Sequence, residues 1–190
     1  VGGRGRLVGA RVVDLLFGEE KTTQSARWPE RKDFRIYTPE FLRTLERMHE
    51  ASVPVFMSGS YPGTDLVMTN DTAVTSLLKR TLHFTPRTGH AVRTGTVTAT
   101  DKSAPDFSGR FEFNAGITDM IYAAEAPDAI EPADKQSVTA FRYIENNTSA
   151  AVMYPGDVRS FVMGFPFETI ISRSERDDLM KQILDFLLKK

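Results

Sequence analysis

A chain of 190 residues with a 41% hydrophobic share fits one domain that can bury a core without metals or disulfides. Its 24 Lys+Arg against 25 Asp+Glu leave no basic block for nucleic acid, and no apolar run nears the roughly 20 residues that span a bilayer. The absence of cysteine removes thiolate nucleophiles, cysteine-ligated zinc and disulfides together; His49, His83 and His90 form no ligand spacing, so no metal or other cofactor is expected.

The chain opens on Val1-Gly2-Gly3-Arg4-Gly5-Arg6 without an initiator Met and is read as a fragment of a longer, processed protein. Those glycines are not a dinucleotide fingerprint, because no strand precedes them. The run from Ala10 to Phe17, stopped by Gly18, predicts a buried strand, followed by a polar loop from Glu19 to Lys32. Thr38-Pro39 then starts a helix to about Ala51, with Thr38 as N-cap and Phe41, Leu42, Leu45 and Met48 on one face. Ser52 to Met57 predicts a second strand ending in the loop Ser58-Gly59-Ser60-Tyr61-Pro62-Gly63. A second helix over 71–82 follows, capped by Asn70 or Asp71. Strand, helix and strand in alternation point to a parallel sheet.

From His90 to Asn114 the pattern breaks into short extended pieces separated by Gly, Pro and Asp, read as a β-rich insertion. Val138–Ile144 and Ala150–Tyr154 flank a polar turn and predict an antiparallel hairpin, and 160–164 predicts another buried strand. Ser172-Arg173-Ser174-Glu175 has capping-box spacing, and Leu179, Met180, Ile183, Leu184 and Leu187 make the stripe of a closing helix. The fold class expected is α/β with a mainly parallel sheet.

In such sheets ligands bind where the carboxyl ends of parallel strands meet helix N-termini. Three segments qualify: Gly18-Glu19-Glu20, Ser58 through Asp65, and Gly164-Phe165-Pro166-Phe167-Glu168. The strand-loop Val55 to Leu66, together with Val162 to Ile170, the Asp14 to Glu20 segment and the closing helix, resembles a C-terminal domain of Bacteroidetes proteins labelled xanthan lyase or N-acetylmuramoyl-L-alanine amidase. That resemblance implies a class I glutamine-amidotransferase-like fold, a flavodoxin-like three-layer sandwich, in a secreted, periplasmic or envelope-associated polysaccharide-related protein.

Amidotransferase chemistry uses a cysteine on a tight strand-to-helix turn, activated by a histidine and a glutamate in a late Phe-His-Pro-Glu-like segment. Here Glu168 matches the glutamate, but Pro166 stands in the histidine's place and cannot take a proton. Ser60 stands where a nucleophile would, without a base and without a Gly-x-Ser-x-Gly elbow. Ser60 and Glu168 are therefore the catalytic candidates, and Glu19, Glu20, Ser58, Tyr61 and Asp65 the ligand-binding ones.

Each has a structural reading beside it. Ser58 and Ser60 suit turn hydrogen bonding, and Asp65 suits helix capping as well as orienting Ser60. Glu19, Glu20 and Glu168 fit solvated carboxylates or an acid/base pair for sugar chemistry, which needs a separation of roughly 5 to 9.5 Å. Trp28 and Tyr37 fit loop anchoring or stacking on a sugar ring. Asn70-Asp71-Thr72 and Asn146-Asn147-Thr148 match glycosylation sequons.

The preferred expectation is an ancillary, non-catalytic domain of an exported polysaccharide-processing protein, with carbohydrate or neighbouring domains as partner. Its rival is a lyase or hydrolase acting on polysaccharide or peptidoglycan through the strand-end carboxylates, with Tyr61 and Arg93 as the other groups a lyase would call on.

Overall fold

The computed structural model describes residues 9–28, 30, 32–100, 104–116, 118 and 120–189; the Gly2-Gly3-Arg4-Gly5 run lies outside them. The elements in order are β1 (Val13–Leu16), β2 (Thr23–Gln24), β3 (Lys32–Phe34), α1 (Pro39–Glu50), β4 (Val55–Ser58), α2 (Pro62–Thr69), α3 (Thr72–Thr81) and β5 (Phe84–Thr88). They continue with β6 (Thr96–Ala99), β7 (Arg110–Glu112), β8 (Ala129–Pro132), β9 (Val138–Tyr143), β10 (Ser149–Tyr154), β11 (Ser160–Met163), a 3₁₀ turn (Phe167–Thr169) and α4 (Arg173–Leu187).

The main sheet runs β1-β4-β11-β10-β9-β6-β7. Among the described residues only β1, β4 and β11 are parallel neighbours; every pairing from β11 onward is antiparallel. The α/β class therefore holds with a mixed sheet, and the expected parallel character is confined to three strands at one end. The antiparallel part has a local origin. The Glu145–Thr148 turn folds β9 against β10, as its polar composition predicts, and β6 and β7 extend the same sheet rather than forming a separate outgrowth.

The sheet buries both faces. Phe56, Phe161 and Met163 point into one core with Leu179, Ile183 and Phe186 of α4. Val55, Met57 and Val162 alternate to the other, against Leu45 and Met48 of α1, Leu66 of α2 and Leu78 of α3. That period of two, read on a strand covered on both sides, explains why β4 and β11 are apolar throughout.

β1 corrects an expectation. It is the sheet's edge, with Asp14 and Leu16 exposed and Val13 and Leu15 turned inward. The expected loop after Gly18 also contains structure, the β2–β3 hairpin, and β5 pairs with β8 as a further small sheet.

Helix starts follow the sequence closely. Thr38 accepts from the Phe41 N–H (3.2 Å), Ser172 from the Glu175 N–H (3.3 Å), and Asp71 caps α3 while Asn70 closes α2 in the left-handed region (φ 48°). Each such cap contributes about 1 kcal/mol. Helix α2 has no local side-chain cap; its N-terminus is served from 65 residues away, by Asp128. No helix among the described residues is long and apolar enough to cross a membrane.

Candidate functional site

Parallel pairing brings the ends of β1, β4 and β11 to one edge, and three tight turns leave it there. Gly18 adopts a left-handed conformation (φ 53°), and its carbonyl accepts from the Ser60 N–H at 2.9 Å, tying the first turn to the second. A Cβ at Gly18 would lie 3.0 Å from the Tyr122 hydroxyl and 3.4 Å from Glu168 Oε1. Gly18 thus sits under the point where the third turn and a distant tyrosine converge.

Around it Glu19, Ser60, Tyr61, Glu168 and Tyr122 gather. The Ser60 hydroxyl donates to Glu19 Oε1, and the Tyr122 hydroxyl donates to Glu168 Oε1 at 2.5 Å. Tyr61 also donates to Glu19, and Lys21 lies over the Tyr61 ring, 4.6 Å from its centroid, with Nζ 3.4 Å from the hydroxyl. Asp14, on the outer strand, faces Glu168 electrostatically, and Glu125 faces Glu19.

The electrostatics follow from burial and like charge. Burial and then Glu168 push the Asp14 carboxyl up to about 6, although its side chain keeps contact with solvent. Burial raises Glu19 too, against the lowering effect of its bonds from Ser60 and Tyr61. Tyr61 and Tyr122 are driven far above the ordinary phenol value, by burial first and then by their carboxylate partners. Both tyrosines stay protonated at neutral pH, so they donate and do not serve as bases.

Tyr122 reaches this place through a loop slung from the 3₁₀ turn. Phe113 bridges Ile170, the Asn114 N–H donates to the Thr169 carbonyl at 2.8 Å, and the Asn114 amide donates to the Ile121 carbonyl at 2.6 Å.

The sequence candidates divide. Glu19, Ser60, Tyr61 and Glu168 come together. Ser60 is fully buried, with its hydroxyl on a carboxylate and no histidine bonded to it among the described residues. Ser58 is also fully buried and its hydroxyl has no partner among the described residues. Glu20 is exposed, its N–H closing a turn on the Phe17 carbonyl (2.9 Å).

Asp65 is neither an orienter of Ser60 nor a cap. Fully buried, it accepts from the Thr22 N–H (2.7 Å), the Thr22 hydroxyl (2.9 Å) and the Ile36 N–H (3.1 Å), pinning the β2–β3 hairpin to α2. Asp128 does the capping, accepting from the Gly63 N–H (2.7 Å), the Thr64 N–H (2.7 Å) and the Thr64 hydroxyl (2.6 Å). An anion at the α2 N-terminus would therefore find the place taken. Tyr37 is a core residue whose hydroxyl donates to the Pro62 carbonyl at 2.6 Å, whereas Trp28 is exposed beside Arg27. Arg93 lies away from the crevice, its N–H on Glu145 at 2.9 Å, while Asn146 of the second sequon is engaged with Ala91 and Thr148.

Sequence reading missed Tyr122, Asp14, Glu125 and Asp128. Asp14 carried a signal, a lone charge inside the apolar run Val12 to Phe17. The others sit in irregular segments without periodicity.

His83 follows Leu82, whose carbonyl accepts from Ser160 at the start of β11, and so lies at the opposite end of the strands, with Nδ1 2.7 Å from Asp134 and its ring stacked on Tyr154 at 3.4 Å. A hollow of about 510 Å³ between α1 and α3, lined by residues such as Leu42, Leu77 and Arg80, and one of about 320 Å³ between β7 and α4 are also remote from the gathered side chains. No cluster of three or more His, Asp or Glu able to hold a metal occurs among the described residues. Comparison with protein families and with curated proteins finds no match for the chain.

Proposed function

We propose that this chain is a flavodoxin-like, glutamine-amidotransferase-like domain that keeps the strand-end crevice and lacks the chemistry, an ancillary non-catalytic part of an exported polysaccharide-processing protein. The observation carrying this reading is Ser60: fully buried, with its hydroxyl committed to Glu19. A nucleophile there needs an exposed oxygen and a base to take its proton, and Glu19 offers only a carboxylate already bonded to Tyr61 as well. Three adjacent parallel strands with helices on both faces support the fold assignment, and Pro166 in the histidine's place fits the loss of activity.

The crevice suits binding. Carboxylate oxygens accept from sugar hydroxyls, and the half-exposed Tyr122 ring offers a face for the apolar side of a pyranose. The test is to incubate the chain with polysaccharides and peptidoglycan fragments, measuring turnover and binding together. Binding without turnover is expected, and Glu168→Gln should weaken it at least tenfold with the fold intact. Turnover abolished by Glu168→Gln would reject the non-catalytic reading.

One observation favours the enzyme alternative. Asp14, held up to about 6 by burial and then by the neighbouring Glu168, is raised in the manner of the acid in a glycoside hydrolase's carboxyl pair. That reading requires a turnover maximum near pH 6 that both Asp14→Asn and Glu168→Gln remove.

A further inference from the structure

Resting on the binding reading above, we infer that the crevice takes an amine-bearing saccharide, of the glucosamine type, in preference to a neutral sugar and against a uronate. Asp14, Glu19, Glu125 and Glu168 bring four carboxylates to one neighbourhood, and none has a salt-bridge partner among the described residues. Neither neighbouring cation pairs with these carboxylates among the described residues: Lys21 lies over the Tyr61 ring and donates to its hydroxyl, and Arg176 donates to the carbonyls of Ile170 and Ile171.

The hydrogen-bond inventory points the same way. Ser60 and Tyr61 donate to Glu19, together with the main chain of Glu125, and Tyr122 donates to Glu168, whose second oxygen, Oε2, is buried without a donor among the described residues. Ser58 adds an independent sign. It closes β4 beside Leu16, on the face of the sheet that Asp14 shares with Phe56, is 0% exposed, and its hydroxyl has no partner among the described residues.

Buried polar atoms are almost always satisfied, so oxygens left open in this way call for a ligand that brings donors. An ammonium brings three donors and a positive charge; a sugar hydroxyl brings one donor and no charge; a uronate adds a fifth carboxylate to the four. Asp14 and Glu19 are raised by burial first, with a neighbouring carboxylate, Glu168 or Glu125, pushing the same way.

The experiment is calorimetric titration of the 190-residue chain at pH 6.5 with four tetrasaccharides: glucosamine, N-acetylglucosamine, neutral β-glucose and galacturonate. The glucosamine tetramer should bind at least tenfold tighter than the other three, with an advantage that shrinks in 0.5 M salt. Glu168→Gln and, separately, Asp14→Asn should each cut that advantage, the ratio of glucosamine to N-acetylglucosamine affinity, at least fivefold. Equal or tighter binding of the neutral, acetylated or galacturonate oligomer overturns the inference and leaves carbohydrate binding standing. So does a glucosamine advantage that survives both substitutions in variants shown by circular dichroism to be folded. Failure of all four to bind removes the carbohydrate reading itself, and this inference with it.

Discussion

Two groups of carboxylates stand around the same strand ends, and they differ in what answers them. Asp65 and Asp128 are fully buried, and each collects three donors, two of them main-chain N–H groups. Glu19 is answered chiefly by side-chain hydroxyls, from Ser60 and Tyr61, with a main-chain donor from Glu125, and Glu168 receives the Tyr122 hydroxyl on one oxygen and leaves the other buried and unanswered among the described residues. A carboxylate closed by backbone donors is part of the scaffold, since removing it strands N–H groups that were folded around it. A carboxylate left half-satisfied keeps capacity for something outside the chain. The two acids also hold different parts of the crevice in place: Asp65 fastens the β2–β3 hairpin, and Asp128 fixes the start of α2 behind Ser60 and Tyr61.

The contrast breaks first at Asp65. Asp65→Ala strands the donors of Thr22 and Ile36 and should cost about 3–5 kcal/mol, a fall in Tm on the order of 10 °C by calorimetry. A loss under 1 kcal/mol would mean the carboxylate is no staple. Asp128→Asn keeps one accepting oxygen where two now serve Gly63 and Thr64, so the loss should be smaller, about 2 kcal/mol in urea unfolding. Glu168→Gln, on the open side of the comparison, should move stability by no more than about 0.5 kcal/mol while weakening saccharide binding at least tenfold. A large destabilisation would place Glu168 with the staples instead.

The smallest effect sharpens the comparison through pH. Asp14 has a folded-state value of about 6 against 3.8 for an unperturbed carboxyl, so between those values the folded chain holds more proton than the unfolded one. Stability from this group is present below pH 3.8 and is lost as pH rises through 6. Asp14→Asn should therefore raise Tm at pH 8 by about 1–3 °C, the small figure reflecting solvent screening at an exposed site, and change it little at pH 4. An equal change at both pH values would contradict a carboxyl raised by burial and by Glu168.

Periodic and capping signals were legible where the chemistry is local. The α4 stripe, the Thr38 and Ser172 caps and the β9–β10 hairpin depend on residues within a few positions of one another. Helix α2 was not legible, because eight residues carrying Gly63, Thr64 and Thr69 have weak propensity and their cap is Asp128, far along the chain. β1 read as buried because its apolar content matched a central strand; its edge position depends on which strands pair, and the charge of Asp14 was the residue that hinted at it.

In the candidate site, Glu19, Ser60, Tyr61 and Glu168 could be found because strand-end loops are where parallel sheets bind ligands. Tyr122 could not, since only the Phe113–Ile170 bridge and the Asn114 bonds carry its loop to Glu168. Asp65 was nominated for its place near Ser60, while its partners Thr22 and Ile36 came from a segment with no visible pattern.

The most direct test of a crevice that binds and does not react is a titration of the ¹⁵N-labelled chain with the glucosamine tetramer, followed by amide shifts and by chromatography of the recovered sugar. The expected result is saturable shifts centred on Gly18, Glu19, Ser60, Tyr122 and Glu168, with the tetramer recovered intact. Shifts centred instead on the Leu42–Leu77–Arg80 hollow, or cleavage of the tetramer that Glu168→Gln abolishes, would contradict it.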